Sequence, residues 1–294
     1  MNSKYQFTAP IKAELNRFTA TLSIQEDTKR SYRNYTGIFL QWMDEQQLTN
    51  EQVRTVDVLD FMASIAEHTS KEIQQCTLRY VRQYFTWKQH PHNPVMGIRL
   101  QGRRRHHLGR DLLDRKVLDG LYRDYPMLTL PNHRDRVILG LVVYQGLSCN
   151  ELCRLQIDDI DLSAGKLRVP GGRKTNSRKL SFEGIQIMEL NEYIQTVRPQ
   201  FLKQNSGQLF LSVKGNEAVK NILSNLVKVL KEMHPKVNSL YQLRRSVIAD
   251  WLKSKDVRIV QYMAGHKNVS STEAYQVINL EDLQHELDKH HPLG

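Results

Sequence analysis

The chain is poor in cysteine, and its three cysteines exclude a disulfide framework. An odd number of thiols cannot form a closed set of pairs, and Cys149 and Cys153 lie four residues apart on one predicted helix, where they are poorly placed to bridge each other. No Cys-x-x-Cys or His-x-x-x-His pair of the kind that binds zinc occurs. The cysteines therefore indicate free thiols in a reducing compartment, and no metal or other cofactor is expected.

Long apolar runs are also missing. No stretch reaches the roughly eighteen consecutive apolar residues that a membrane-spanning helix needs. The first five residues, Met-Asn-Ser-Lys-Tyr, lack the apolar centre of a secretory signal. We therefore expect a soluble, cytoplasmic protein without a membrane partner.

Positive charge is plentiful. The 42 lysines and arginines outnumber the 31 acidic residues, which gives a net charge of +11 and a pI near 9.5. Such an excess favours a polyanionic partner, nucleic acid above all. A length of 294 residues is enough for two domains of ordinary size.

The apolar pattern predicts a mainly α protein with one small β-hairpin. Apolar residues at three- and four-residue steps predict helices over 31–46, 56–66 and 72–87, which together suggest a helical N-terminal domain over residues 1–92. Prolines and glycines then break the pattern, so residues 93–110 are predicted to be a basic linker. Its arginines Arg103, Arg104 and Arg105 are expected to lie against a nucleic-acid backbone, because each phosphate contact releases counterions.

The second predicted domain covers residues 111–294. Within it, Lys166–Pro170 and Lys179–Phe182 are predicted as strands around a loop rich in turn-forming residues, Gly171–Ser177. The loop carries Arg173 and Lys174, so the tip of this hairpin is basic.

Three residues near the C-terminus have a chemically suggestive order. Arg244 is expected in the first turn of a helix, where the positive end of the helix dipole could also meet a phosphate. His266 follows Gly265, a natural left-handed end for a helix over 256–264, and Tyr275 lies on the next short helix. A tyrosine nucleophile, a cationic clamp and a proton carrier are the groups needed to break a phosphodiester without a metal.

The string Leu243-Arg244-Arg245-Ser246, then Gly265-His266, then Tyr275 resembles the second conserved box of the tyrosine recombinases, the family of phage lambda integrase and the Xer recombinases. Residues 145–152, Gln-Gly-Leu-Ser-Cys-Asn-Glu-Leu, resemble the first box, and Arg173-Lys174-Thr175 resembles the hairpin that carries the family's catalytic lysine. The resemblance implies an N-terminal core-binding domain and a C-terminal catalytic domain.

The resemblance also implies a task for each residue. Tyr275 would attack a DNA phosphate, Arg244 would stabilise the charge, Lys174 would protonate the leaving oxygen and His266 would handle the tyrosine proton. Arg245 is expected to contact DNA. The implied activity is site-specific DNA recombination or integration through a 3′-phosphotyrosine and a Holliday junction, independent of metal and ATP.

Two positions depart from the family pattern. Tyr241 replaces the histidine that begins the second box, and it supplies a hydroxyl instead of an imidazole. Ser148 replaces the arginine of the first box, which by analogy with one lost oxyanion donor costs roughly 2.7–4 kcal/mol. Three alternatives follow: another arginine, such as Arg154 or Arg173, reaches the phosphate; the site turns over slowly; or the protein is a catalytically impaired DNA-binding or architectural protein.

Two further alternatives involve different DNA chemistry. A metal-dependent nuclease or transposase could use Asp158, Asp159 and Asp161 as ligands, although these acids also fit a turn before a strand. A type IB topoisomerase would share the tyrosine chemistry but would relax DNA without paired specific sites.

The resemblance further implies partners. A predicted final helix, Leu280–Lys289, would dock into a neighbouring copy and link a homotetramer on double-stranded DNA, with accessory DNA-bending proteins as possible additions. A bacterial, phage or mobile-element origin, with the protein on the nucleoid, is expected on the same grounds.

Overall fold

The computed structural model describes residues 6–100, 111–173, 175–216 and 218–275. These residues form two compact units, with residues 6–100 in the first and 111–275 in the second. The predicted phosphate contacts Arg103, Arg104 and Arg105, the predicted catalytic Lys174 and the predicted helix Leu280–Lys289 lie outside the described residues.

The first unit is a bundle of four helices: α1 (Ala9–Ala20), α2 (Glu26–Glu45), α3 (Thr55–Ala66) and α4 (Lys71–Trp87). Each helix turns an apolar face inward, and the core between them is rich in aromatic rings. Phe18 packs edge-on against Tyr84, and Phe39 packs edge-on against Phe61 and Phe85. The aromatic stripes of the sequence are therefore core positions in this unit.

Packing in the first unit continues beyond residue 92, where the sequence analysis ended the N-terminal domain. Val95 and Ile98 are buried in its core. Asn93 donates to the carbonyl of Arg82 on α4, and Arg82 in turn donates to the carbonyls of Val95 and Ile98. The boundary prediction was too early because these apolar residues are too few to show a helical period, yet they fill the end of the bundle.

The second unit contains the remaining helices: α5 (Arg115–Arg123), α6 (Leu130–Val143), α7 (Cys149–Leu152), α8 (Gly184–Glu192), α9 (Arg198–Phe201), α10 (Val219–Met233), α11 (Leu240–Trp251) and α12 (Val257–Ala264). Helix α6 is central, since it contacts α5, α8, α10 and α11 and ten of its fourteen residues are buried. Residues 193–197 form a π-helical turn between α8 and α9. Residues 270–275 are helical at the end of the described chain.

A three-stranded antiparallel sheet joins these helices, with the order β1 (Ile160–Asp161), β2 (Lys166–Val169) and β3 (Arg178–Ser181). Leu167 pairs with Leu180, and both point into the core while the alternate residues of β2 face outward. The predicted mainly α fold with a small sheet is confirmed, and β1 adds a strand that the sequence analysis did not predict. Within the described ranges, no helix has the length and apolar content needed to cross a bilayer.

Candidate active site

Ser148, at the position where the resemblance expects an arginine, starts helix α7 as its N-cap. Its hydroxyl accepts a hydrogen bond from the main-chain N–H of Glu151. The Ser148 N–H and hydroxyl both donate to Oε2 of Glu151, each over 2.8 Å. This reciprocal capping box stabilises the start of a very short helix and holds the Glu151 carboxylate in place.

The carboxylate of Glu151 is fully buried and joins two arginines. Nη1 of Arg178 is 2.6 Å from Oε1, and Nη1 of Arg244 is 3.1 Å from Oε2. Burial raises the pKa of the Glu151 carboxyl, but its hydrogen bond and ion pair with Arg178 and the charge of Arg244 outweigh this, so the pKa lies below its ordinary value. The cluster therefore holds two positive charges and one negative charge.

Arg244 projects from helix α11, which begins at Leu240 behind the N-cap Ser239. Arg244 is consequently in the second turn, and the expectation that it shares the positive end of the helix dipole was wrong, because the helix starts before the apolar stripe that was used to locate it. Its Nη2 donates to the carbonyl of Ala264 over 2.6 Å, and its Nη1 donates to the carbonyl of Gly146. These bonds fix the guanidinium between the first box and the end of α12.

Arg178, at the start of β3, has a side chain with no solvent exposure. Its Nε donates to the carbonyl of Met263 over 2.7 Å, near the end of α12. Its guanidinium packs against Gly265, because a Cβ added there would meet Nη1 and Cζ of Arg178. Arg178 and Arg244 thus approach the same turn from two sides.

That turn places the predicted histidine. Gly265 has φ 71° and ends α12 in the left-handed conformation, as predicted from the sequence. Nδ1 of His266 is 2.8 Å from Oγ1 of Thr272, a fully buried side chain. Burial lowers the pKa of His266 to about 4, with further lowering by the charges of Arg244 and Arg178, so the imidazole is neutral at pH 7.

Tyr275 lies against this histidine. Its ring is stacked on that of His266, with ring centroids 6.2 Å apart and planes 15° from parallel, and only 7% of the residue is exposed. Burial, and then the neighbouring Tyr241, raise the pKa of Tyr275 to about 12, although Arg244 and Arg245 lower it. The Tyr241 side chain is near enough to Tyr275 to raise its pKa and is itself 59% exposed. The structure therefore brings Tyr275, His266, Arg244 and Tyr241, four of the predicted site residues, into one cluster.

The basic hairpin is attached to the same turn. Thr175 forms a β-bridge with His266, and the N–H of Asn176 donates to the carbonyl of Gly265 over 2.9 Å. The N–H of Lys179 donates to the hydroxyl of Tyr262 over 3.1 Å. The chain segment that directly follows position 174 is thus bonded to the histidine turn.

Of the other predicted arginines, two are exposed, and the third, Arg245, borders the cluster at Tyr241. Arg154 is exposed and donates to the carbonyls of Asn150 and Gly171, and Arg173 is exposed on the hairpin loop. Arg245, predicted to contact DNA, is instead buried. Its Nη1 is 3.2 Å from Asp111, and its guanidinium lies 5.7 Å from the centre of the Tyr241 ring. This buried position argues against the predicted contact between Arg245 and DNA, because the side chain turns into the domain.

Two of the three acids considered as metal ligands, Asp159 and Asp161, have local structural partners. Asp159 pairs with Arg168 over 2.6 Å and accepts from the N–H of Gln156. Asp161 accepts from Ser163 and from the N–H of Ala164, which closes the turn after β1. Among the residues that the structure describes, no group of three or more histidine, cysteine or acidic side chains is placed to hold a metal ion.

Sequence analysis missed three polar residues of the site: Glu151, Arg178 and Thr272. Glu151 lies three residues after Ser148, a spacing that indicates a capping box and could have drawn attention to it. Arg178 stands one residue before the predicted second strand, and Thr272 is an ordinary helix residue in the sequence. Their partners are 85 and 6 residues away along the chain, at Met263 and His266, so only the fold brings out their roles.

Comparison with known proteins matches the model of the Phage integrase family to residues 125–281. Tyrosine recombinase XerD of Staphylococcus epidermidis is 34% identical over 173 residues, which cover 57% of this chain and 58% of that protein. Tyrosine recombinase XerA of Pyrococcus horikoshii is 30% identical over 162 residues, with 54% and 55% covered. The chain therefore spans less than two thirds of the length of these relatives.

Solved structures extend the likeness to most of the chain. A XerH site-specific recombinase bound to its difH substrate in a pre-cleavage complex gives a TM-score of 0.72 at 16% identity, covering 93% of this chain and 94% of that one. The Tn1549 transposon integrase in complex with transposon right end DNA gives 0.69 at 15% identity, with 95% and 98% covered. At sequence identities this low, the TM-scores show a shared fold and nothing further. Because the family model matches more than half of its 294 residues, the protein belongs to the phage integrase family of tyrosine recombinases.

Proposed function

We propose that this protein is a site-specific DNA recombinase or integrase that breaks and rejoins DNA through a 3′-phosphotyrosine. The observation that carries the proposal is the packing of Tyr275 against His266, beside the ion-pair cluster in which the Glu151 carboxylate joins Arg244 and Arg178. A nucleophile, a neutral imidazole and a cationic site for an anion meet there. The XerH and Tn1549 structures are described with DNA, and that partner is carried over to this chain as part of the proposal.

In the proposed cleavage step, the Tyr275 oxygen forms a bond to the scissile phosphorus as the bond to the 5′-oxygen breaks. With a pKa near 12, Tyr275 holds its proton at neutral pH, so the proton must leave during the attack. We propose the tautomer in which Nδ1 of His266 carries the proton and donates to Oγ1 of Thr272, so that Nε2 accepts the proton of Tyr275. A bound phosphate offsets the two arginine charges and thereby raises the pKa of His266 from its value of about 4.

Arg244 is proposed to bind the non-bridging oxygens as negative charge grows on the pentavalent phosphorus. Lys174 is proposed to protonate the leaving 5′-oxygen, which becomes a hydroxyl. Tyr241, a neighbour that raises the pKa of Tyr275, is proposed to align the Tyr275 oxygen for attack. The phosphotyrosine keeps the energy of the broken bond, so a 5′-hydroxyl can reverse the step without ATP or metal.

The proposed substrate is a pair of specific sites in double-stranded DNA, exchanged through a Holliday junction by a homotetramer. The net charge of +11 supports a DNA partner by counterion release. The first unit, whose core extends past residue 92 to Ile98, is proposed as the core-binding domain and residues 111–294 as the catalytic domain. Arg103, Arg104 and Arg105 between them are proposed as backbone contacts. Action on a bacterial or mobile-element DNA would place the protein in the cytoplasm, where accessory DNA-bending proteins could assist it.

A covalent-trapping experiment tests the proposal. The binding site is first recovered by selection from a pool of randomised duplexes, and it is then rebuilt as a nicked duplex that releases a short 3′ fragment after cleavage. We expect a covalent protein–DNA band in the presence of EDTA that disappears with Tyr275→Phe, while a gel shift shows equal binding. Tyr262→Phe is the matched control, because Tyr262 is an exposed tyrosine whose recorded hydrogen bonds are with the main chain of Lys179 on the hairpin.

A second candidate function, DNA binding without cleavage, is favoured by Ser148 alone. Ser148 serves as a helix cap bonded to Glu151 and supplies no positive charge. On that alternative, the wild-type protein binds the selected duplex but forms no covalent band. Equal bands from wild type and Tyr275→Phe would contradict both candidates, since the adduct would then involve another residue.

A further inference from the structure

The buried carboxylate of Glu151 poses an electrostatic problem for a site in which Ser148 stands at the position of the first-box arginine. Glu151 is 3.1 Å from Arg244 through its Oε2. An ionised glutamate at this distance cancels most of the charge that Arg244 could offer to a phosphate, because the interior screens charge weakly. With Ser148 in place of the first-box arginine, Arg244 and Glu151 alone would form a neutral pair.

Arg178 changes this balance. It pairs with the other carboxylate oxygen of Glu151 over 2.6 Å, closer than Arg244 does, and neither of the two side chains has any solvent exposure. Two guanidinium groups on one carboxylate leave a net charge of one positive unit. A buried excess charge is costly unless an anion neutralises it, so the cluster is suited to receive one phosphate.

The free hydrogen-bonding capacity agrees with the charge. Nη2 of Arg178 is buried and has no hydrogen-bond partner among the residues that the structure describes. Its Nε and Nη1 are occupied by Met263 and Glu151. The packing of its guanidinium on Gly265, directly before His266, puts the group beside the reacting residues.

Building on the proposed function, we propose that Arg178 makes up for the missing first-box arginine: it neutralises Glu151 and so leaves the charge of Arg244 available to the scissile phosphate. Arg178 is a positioning residue in this scheme, since it acts through Glu151. The compensation comes from the first residue of β3, and the exposed Arg154 and Arg173, which are directed to the hairpin and the solvent, have no part in it.

The scheme makes a prediction that a purely structural role does not share. Arg178→Gln should slow single-turnover formation of the covalent adduct by about a hundredfold, the effect typical of one lost charge-stabilising donor, while DNA affinity stays within about threefold. Adding Glu151→Gln should then restore cleavage at least tenfold, because the charge that Arg178 neutralised is gone. Arg178→Lys should stay within about tenfold of wild type, since it keeps the charge.

The experiment uses the full chain, the nicked duplex described above and circular dichroism to verify folding. Arg134→Gln is the matched control, because Arg134 forms a comparable buried pair with Asp135 outside the site and should leave cleavage by the folded, DNA-bound protein unchanged. A folded double variant no faster than Arg178→Gln overturns the inference. If Arg178→Gln does not fold, the double variant is compared with wild type: a deficit below about thirtyfold supports the inference, and a larger one overturns it.

The wild-type lane separates this inference from the proposed function. No adduct from wild type on DNA that it binds removes the proposed function and the inference together. An adduct from wild type with no rescue by Glu151→Gln removes the inference alone.

Discussion

Replacing Gly265 by alanine should lower the free energy of unfolding of the second unit by much more than the cost of placing alanine in a left-handed backbone conformation. Gly265 has φ 71°, a conformation that costs an L-residue about 1–2 kcal/mol. The added Cβ would also lie 2.9 Å from Cζ of Arg178 and closer still to its Nη1. The guanidinium must move by about an ångström to relieve this, which would break its hydrogen bond to Glu151.

The size of the second effect follows from burial. Neither Arg178 nor Glu151 is exposed, and separating a buried ion pair costs about 3–5 kcal/mol. We therefore expect Gly265→Ala to lower the free energy of unfolding by at least about 3 kcal/mol in total. The loss should appear as a lower midpoint urea concentration for the second unit, in a urea titration of the full chain that is followed by circular dichroism.

Gly165→Ala is the matched control for the backbone. Gly165 has φ 62°, so alanine meets the same conformational cost, but its Cβ would lie 3.5 Å from Ile187, an ordinary contact. We expect a loss of only about 1–2 kcal/mol there. Equal losses for the two variants would refute the reasoning, because Arg178 would then not be held against the turn.

Three further outcomes are expected. Thr272→Val should slow cleavage about tenfold to a hundredfold, because His266 loses the bond that orients it, worth about 1–3 kcal/mol; Thr272→Ser should restore most of the rate in the same assay. The pKa of His266 is about 4 in the folded protein and 6.5 in the unfolded chain, so the free energy of unfolding should fall by about 2 kcal/mol, after solvent screening is allowed for, as the pH drops from 6.5 to 4. In urea titrations at several pH values, His266→Gln should reduce the dependence of this free energy on pH, and an unchanged dependence would contradict the prediction. Arg245→Gln should lower the free energy of unfolding by about 2 kcal/mol through the loss of its pair with Asp111. It should leave the dependence of DNA affinity on salt concentration unchanged, and a weaker salt dependence would reveal a phosphate contact.

Local pattern was enough to predict most of the elements. The apolar steps over 56–66 and 72–87 correspond to α3 (Thr55–Ala66) and α4 (Lys71–Trp87), and the end of α12 at Gly265 was predicted from glycine's tolerance of positive φ. The two long strands were placed within one residue at most ends. These features depend on residues close in sequence, which is why a single sequence shows them.

The charge cluster of the site could not be predicted in this way. Arg178 lies 27 residues from its partner Glu151 and 85 from Met263, and no spacing rule connects them. Arg154 and Arg173 were named as arginines that could reach the phosphate, and neither one is bonded to Glu151 among the described contacts. Arg245 was predicted to contact DNA, and only the fold shows that its side chain turns toward Asp111.

The way Glu151 is shared also bears on when the protein becomes able to act during its own synthesis. Glu151 pairs with Arg178 and with Arg244, which are 27 and 93 residues after it in the sequence. Arg244 also donates to the carbonyl of Gly146, 98 residues before it. Contacts this distant in sequence close large loops, so they form late and only once the whole segment has been made. A chain whose synthesis has stopped before residue 244 contains Glu151 and Arg178 but neither Arg244 nor Tyr275, which follows later in the sequence. The anion site and the proposed nucleophile are therefore completed together, near the end of the synthesis of the second unit.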